Sequence, residues 1–198
     1  MQTRDDQQHQ LSVEGANARQ AVRRLLESDI SQAYKTAQAI RHPWYRCQAL
    51  AIVAEKIPKN SKQKLLLESL ASAKECHDEN RRVSVACWPL NVAISDEIRP
   101  VTNEILTFVS EQLSYDTDPI SMWCAVSVLW TIRNNDDLLD RFFPVFKKAT
   151  SKGHGWRVER DIKNLLSDPA IQKEVRYVNY LMARQLGISR WKTEYLKK

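Results

Sequence analysis

The sequence predicts an all-α fold, a right-handed α-α superhelix of about four helix pairs, and three observations carry that expectation. Turn formers are scarce: 198 residues hold 4 Gly and 7 Pro, too few for a chain of many short strands. Apolar residues recur at three- and four-residue spacing through most of the chain, the period of a helix buried on one side. Arg46, Arg82, Met122 and Arg157 fall at equivalent points of successive second helices, at steps of 36, 40 and 35 residues. Two-helix repeats run roughly 34 to 47 residues, and each hairpin buries its apolar stripe only by stacking on its neighbours.

The elements follow in order. Residues 1–13 are polar, with four glutamines and no apolar period, and read as a disordered lead-in to a single helical-repeat domain over 14–198. Ala16 to Leu26 and Ile30 to Ile40 are Ala-, Leu- and Arg-rich, with the Ser28-Asp29 step as a cap between them. Pro43 suits a first helical position, and Leu50, Val53 and Ile57 form a stripe that Pro58 stops. A second pair runs from Leu65 to Cys76 and, after a His77-Asp78 turn, from Glu79 to Ile94 with an interruption at Pro89. In the third pair Ile98, Val101, Ile105 and Phe108 share a face, 116–119 connects, and Ile120 to Ile132 is apolar nearly all round. That last helix is expected to be the most buried of the molecule. A fourth pair runs from Asn135 to about Lys152, kinked at Pro144, and from His154 to Leu166; a helix from Ala170 to Leu186 comes next, with Gly187 as its C-cap.

Composition excludes several classes. At 43% hydrophobic and 27% charged residues the chain is too apolar for disorder, and no run nears the roughly 18 apolar residues of a membrane span. Cys47, Cys76, Cys87 and Cys124 stand singly, without the paired spacing of a disulfide framework or zinc knuckle. Together with an N-terminus unlike a secretory signal, they read as reduced thiols of a cytoplasmic protein. The charge of +6 is lopsided: residues 1–132 hold 15 Lys/Arg against 16 Asp/Glu, and 133–198 hold 15 against 8. Such asymmetry marks either a solvated face or contact with an acidic surface.

The stretch Ala33 to Ile40, then His42-Pro43, Arg46 to Ala54 and Ile57-Pro58, resembles the degenerate repeats of HEAT-like and armadillo-like helical-repeat proteins. Glu68 to Ile94 resembles a second copy through Ala71, Ala73, Asp78-Glu79, Arg82, Ala86 and Pro89-Leu90; the likeness fades after about residue 100, where Met122 takes the arginine's place. The resemblance implies a superhelical scaffold with a concave binding surface and no particular activity.

Signals for chemistry are few. Cys76-His77-Asp78-Glu79 has metal-ligand types in a row, but adjacent turn residues rarely converge on one ion, so a helix end followed by an acidic helix start is expected. Asp136, Asp137 and Asp140 sit in the first turns of a helix, where acids favour its positive end. His154 between two glycines reads as a turn, since no nucleophile elbow or phosphate loop accompanies it. The HEAT-like alkylpurine DNA glycosylases resemble this chain in size, basicity and tryptophan content, and that resemblance implies an aspartate one helical turn from a lesion-framing aromatic. Trp44, Trp88, Trp123, Trp130, Trp156 and Trp191 are followed four residues later by Gln48, Val92, Ser127, Asn134, Arg160 and Tyr195, none acidic. That leaves a glycosylase-like enzyme as the least favoured reading.

The candidate binding face is C-terminal. At 100° per residue Ile171, Val175, Val178 and Met182 share one side of their helix, leaving Lys173, Arg176, Tyr177, Tyr180 and Arg184 on the other. Arg157, Arg160 and Lys163 at three-residue spacing, and Arg190 and Trp191 beyond, extend it. Cations neutralise phosphates, and exposed aromatics stack on bases or anchor a protein partner. The expected function is a non-catalytic binding or scaffold module without cofactor or metal, holding a protein or peptide partner. Nucleic-acid backbone binding through the basic face is the alternative.

Overall fold

The computed structural model describes residues 4–114 and 121–151. They form eight helices and, among the described residues, no strand: α1 (Arg4–Leu25), α2 (Ile30–Gln38), α3 (Pro43–Lys56), α4 (Lys59–Lys74), α5 (Glu79–Ser95), α6 (Arg99–Ser114), α7 (Ser121–Ile132) and α8 (Asp136–Ser151). None of these is long and apolar enough to cross a membrane. The chain divides into two compact units, Met1–Gln112 and Leu113–Lys198, with the boundary in the last turn of α6.

In the first unit the helices pack as hairpins. α3 and α4 run antiparallel: Lys62 Nζ donates to the Glu55 carbonyl at 3.4 Å near the connection, Ser69 Oγ to the Cys47 carbonyl at 2.8 Å, and Arg46 Nε to Ser72 Oγ at 3.0 Å at the far end. α3 also packs on α1, α2 and α5. α2 reaches α4 where Tyr34 Oη donates to Glu68 Oε2 at 2.7 Å, and α4 reaches α6 where the Lys74 ammonium lies 5.5 Å from the Phe108 ring centroid. Thus α1, α3 and α5 make one layer and α2, α4 and α6 the other.

The 36-residue step is visible in atoms. Arg46 Nη1 donates to the Ile40 carbonyl at 3.3 Å, and 36 residues on Arg82 Nε donates to the Cys76 carbonyl at 2.8 Å. Each arginine also reaches the next helix of the other layer. Arg46 meets Ser72 and Glu75 at the end of α4, and Arg82 meets Gln112 in α6 at 3.1 Å. The core keeps the same step: Ala33, Ser69 and Ile105 are fully buried, and so are Ala37, Ala73 and Val109. Met122's side chain and Arg157, the later members of the arginine series, lie outside the described residues.

Local signals explain the boundaries. Asp29 caps α2 by accepting from the Gln32 amide at 2.8 Å, and Asp78 caps α5 by accepting from the Arg81 amide at 2.8 Å. Pro43 opens α3 as its first residue, and α3 ends before Ile57 and Pro58. α1 begins at Arg4, earlier than the polar composition of 1–13 suggests. From Ser12 onward it has a partner: Ser12 Oγ lies 3.4 Å from Tyr45 Oη, Arg19 bonds Gln48 and covers the Tyr45 ring at 5.6 Å, and helix propagates outward from such an anchor. Gly15 permits the contact, because a Cβ there would stand 2.6 Å from Tyr45 Cδ2.

α4 likewise begins at Lys59, six residues before the expected Leu65. Lys62 explains it: 8% exposed, its ammonium meets Asp96 Oδ2 at 2.6 Å, so this polar-looking turn is tied to the end of α5. α5 and α8 run through Pro89 and Pro144 without a break in their helical residues. Pro89 is buried beside Leu90, Val92 and Ala93, whose packing offsets the lost backbone bond. In α7, the helix expected to be the most buried, Cys124, Ala125, Val128, Leu129 and Ile132 are buried and Ser127, Trp130 and Thr131 half-exposed; the longest unbroken buried run among the described residues is Cys47 to Ala54 in α3, which has neighbours on four sides. In the second unit α7 packs on α8, bringing Val128, Leu129 and Ile132 into a core with Leu139, Phe142 and Phe146.

At the end of α5 the Ile98 amide donates to the Ala93 carbonyl at 2.8 Å and the Glu97 amide to the Ile94 carbonyl at 3.0 Å, with Glu97 at φ 54. This left-handed position favours glycine, so Glu97→Gly is expected to stabilise the protein by about 0.5 to 1 kcal/mol, read as a raised urea midpoint with an unchanged slope.

Candidate functional site

The nominated residues Arg157, Arg160, Lys163, Lys173, Arg176, Tyr177, Tyr180, Arg184, Arg190 and Trp191 lie outside the described residues, as does His154. The other nominated positions have local structural roles. Cys76 is buried in the turn just past α4, His77 is an exposed turn residue, Asp78 is the α5 cap and Glu79 its first residue. Asp136 and Asp137 occupy the first turn of α8, whose start is capped by Asn135 Oδ1 accepting from the Leu138 amide at 3.1 Å. Trp44, Trp88 and Trp130 are half-buried, and the Arg133 guanidinium stacks 3.9 Å from the Trp130 ring centroid.

The structure adds a cleft that sequence reading does not reveal. α1 and α3 run in the same direction, and Gly15 stands level with the start of α3, against His42 and Tyr45. Residues 4–14 therefore project past α3. Beneath this overhang, between it and the α2–α3 and α4–α5 turns, lies a half-open cleft of about 460 Å³. Leu11, Pro43 and Trp44 give it an apolar side; Gln8, His42, Cys76 and His77 line it with polar or thiol groups. Arg41, Glu75, Asp78 and Arg81 complete the lining.

The ionised groups of this cleft are matched inside the protein. Arg41 Nη2 meets Glu14 Oε2 at 2.6 Å, Glu75 is bound by Arg46, and Arg81 Nε lies 3.4 Å from Asp78 Oδ2. The hydrogen bond from Arg41 holds the Glu14 carboxyl below its ordinary range, helped by Gln10. Burial, and then the positive Arg81, push the His42 imidazole below its ordinary value, so the ring is neutral at pH 7. Its Nδ1 is enclosed without a hydrogen-bond partner, so a neutral tautomer with the proton on Nε2 is the one that leaves no buried donor orphaned.

Thiol chemistry is suppressed where cysteines are enclosed. Burial pushes Cys47 up to about 12, against a smaller opposing hydrogen bond from Ser69, and pushes Cys76 up to about 11. Both lie above the ordinary 9.0, so the neutral thiols contribute stability that is fully present below pH 9 and lost as pH rises toward 11 and 12. Iodoacetamide at pH 8 is accordingly expected to alkylate half-exposed Cys87 well before Cys47 or Cys76, with peptide mass mapping as the check.

The cleft depends on the relative offset of α1 and α3, and Gly15 opposite Tyr45 is the only local trace of that contact in the sequence. No family model matches this chain, and neither a curated protein nor a solved structure matches it.

Proposed function

We propose that this chain is a non-catalytic binding module of the HEAT-like or armadillo-like repeat type that holds a protein or peptide partner. The observation that supports this most is the arginine pair. Arg46 and Arg82, 36 residues apart, each donate to a carbonyl in the turn before their own helix and reach side chains at the following helix, Ser72 and Glu75 for the first and Gln112 for the second. Stacks of this kind present an extended surface whose exposed residues are free to vary while the stacking residues are not. A second reading is favoured by the excess of 15 Lys/Arg over 8 Asp/Glu in 133–198: nucleic-acid backbone binding through a basic C-terminal face.

One experiment separates the two. Fluorescence anisotropy of labelled single- and double-stranded nucleic acid is measured against the full chain at about 50 and about 200 mM salt. The first reading expects no binding that falls steeply with salt. Steep salt dependence, abolished by charge reversal at Arg157, Arg160, Arg176 and Arg184, overturns it in favour of the second. A protein partner is expected to be lost from co-purification when Tyr177, Tyr180 or Trp191 is changed to Ala, and retained when the four arginines are reversed.

A further inference from the structure

We propose that the cleft beneath the overhang of α1 receives an uncharged aromatic side chain from an extended segment of a protein partner. This rests on the reading of the chain as a protein-binding module and names the chemistry that one of its sites accepts. Size, charge and wall chemistry carry the inference together.

The cleft of about 460 Å³ falls within the range of roughly 300 to 1,000 Å³ typical of ligand sites, enough for a large side chain with its adjoining backbone. Its charges select against an ion. Arg41 is paired with Glu14, Glu75 with Arg46 and Asp78 with Arg81, and His42 is neutral. The two arginines and two carboxylates of the lining cancel, so an incoming carboxylate or ammonium would give up part of its hydration without gaining an unmatched counter-charge.

An uncharged ring meets no such cost. The Trp44 indole is half-exposed on the wall, beside Pro43 and half-exposed Leu11. A second ring stacked on the indole removes apolar surface of both from water and gains the preference of aromatic pairs for offset or edge-to-face contact. Gln8 and His77 are exposed on the same cleft and, among the described residues, take no hydrogen-bond partner. Their amide and imidazole suit the peptide groups that flank such a side chain.

The test uses the full chain, ¹⁵N-labelled, titrated with the blocked tripeptides Ac-Ala-Phe-Ala-NH₂, Ac-Ala-Glu-Ala-NH₂, Ac-Ala-Lys-Ala-NH₂ and Ac-Ala-Ala-Ala-NH₂ up to about 10 mM, where millimolar affinity is read. The Phe peptide alone is expected to shift the Leu11 and Cys76 amides and the Trp44 indole N–H. The shifts are expected to persist from about 50 to about 500 mM NaCl, since no ion pair forms. Leu11→Glu is expected to weaken the response about tenfold or more by placing a charge on the apolar wall. Trp44→Leu, which keeps the wall apolar but removes the ring, is expected to weaken it less and keeps the test available if Leu11→Glu does not fold.

No shift with the Phe peptide, a larger response to the Glu or Lys peptide, or loss of the response in salt overturns the proposal. A partner protein that binds the folded Leu11→Glu chain with unchanged affinity removes this cleft while leaving the binding-module reading standing. Salt-steep nucleic-acid binding with no protein partner removes that broader reading instead.

Discussion

Leu66→Ala is expected to lower the unfolding free energy by about 2 to 5 kcal/mol. Leu66 is fully buried in α4, which packs between α3 and α5, so truncation removes transfer free energy and leaves a cavity that three helices can only partly close. Urea melts followed by circular dichroism measure it. A loss under about 1 kcal/mol would mean that the α3–α4–α5 interface collapses onto the smaller side chain. Leu129→Ala is the counterpart in the second unit: Leu129 is 2% exposed in α7, against α8, and the same range applies. If each change moves a different transition, the boundary at Gln112 is also a boundary of cooperativity.

Arg46→Ala is expected to cost about 2 to 3 kcal/mol, from losing charge-assisted bonds at one place and leaving acceptors without their donor. The side chain is 19% exposed and joins the Ile40 carbonyl, Ser72 Oγ and the Glu75 carboxylate. Glu75 is 60% exposed and rehydrates, so most of the loss belongs to the carbonyl and hydroxyl contacts. Arg46→Lys is expected to recover little, since a point ammonium cannot span the three acceptors as a planar guanidinium does. Arg82→Ala is expected to fall in the same direction, through the Cys76 carbonyl and Gln112. A melt in which one arginine matters and the other is silent would deny that they are equivalent members of a repeat.

The features legible in the sequence are those written by neighbouring residues. Asp29 and Asp78 announce helix starts because a short carboxylate reaches the amide three residues on, and Pro43 announces one because its missing N–H costs nothing there. The spacing of Arg46 and Arg82 is legible because stacking repeats the same contact at a fixed chain interval. The features missed are set by distant partners. Lys62 lengthens α4 through Asp96, 34 positions away, and α1 gains its hold from Tyr45 and Gln48. Pro89 stays helical because its flanks are buried, which overrides a local preference. Beyond Gly15 the cleft leaves no local signature: Leu11, Trp44 and His77 meet there because α1 overhangs α3.

The enclosure of α3 also governs how this chain can change. An ordinary surface helix accepts substitution at most of its positions, and a mutational scan of it shows intolerance only at every third or fourth residue. Cys47 to Ala54 has no such relief, for all eight side chains face a neighbour, and three of them are alanines with no room to grow. Saturation mutagenesis should therefore show an unbroken eight-residue block of intolerance here. A single inserted residue would turn the remainder of the helix by about 100° and set every later side chain against the wrong neighbour. Variation would then be channelled into the outer helices and turns, so that this enclosed stretch of α3 fixes the frame in which the rest can drift.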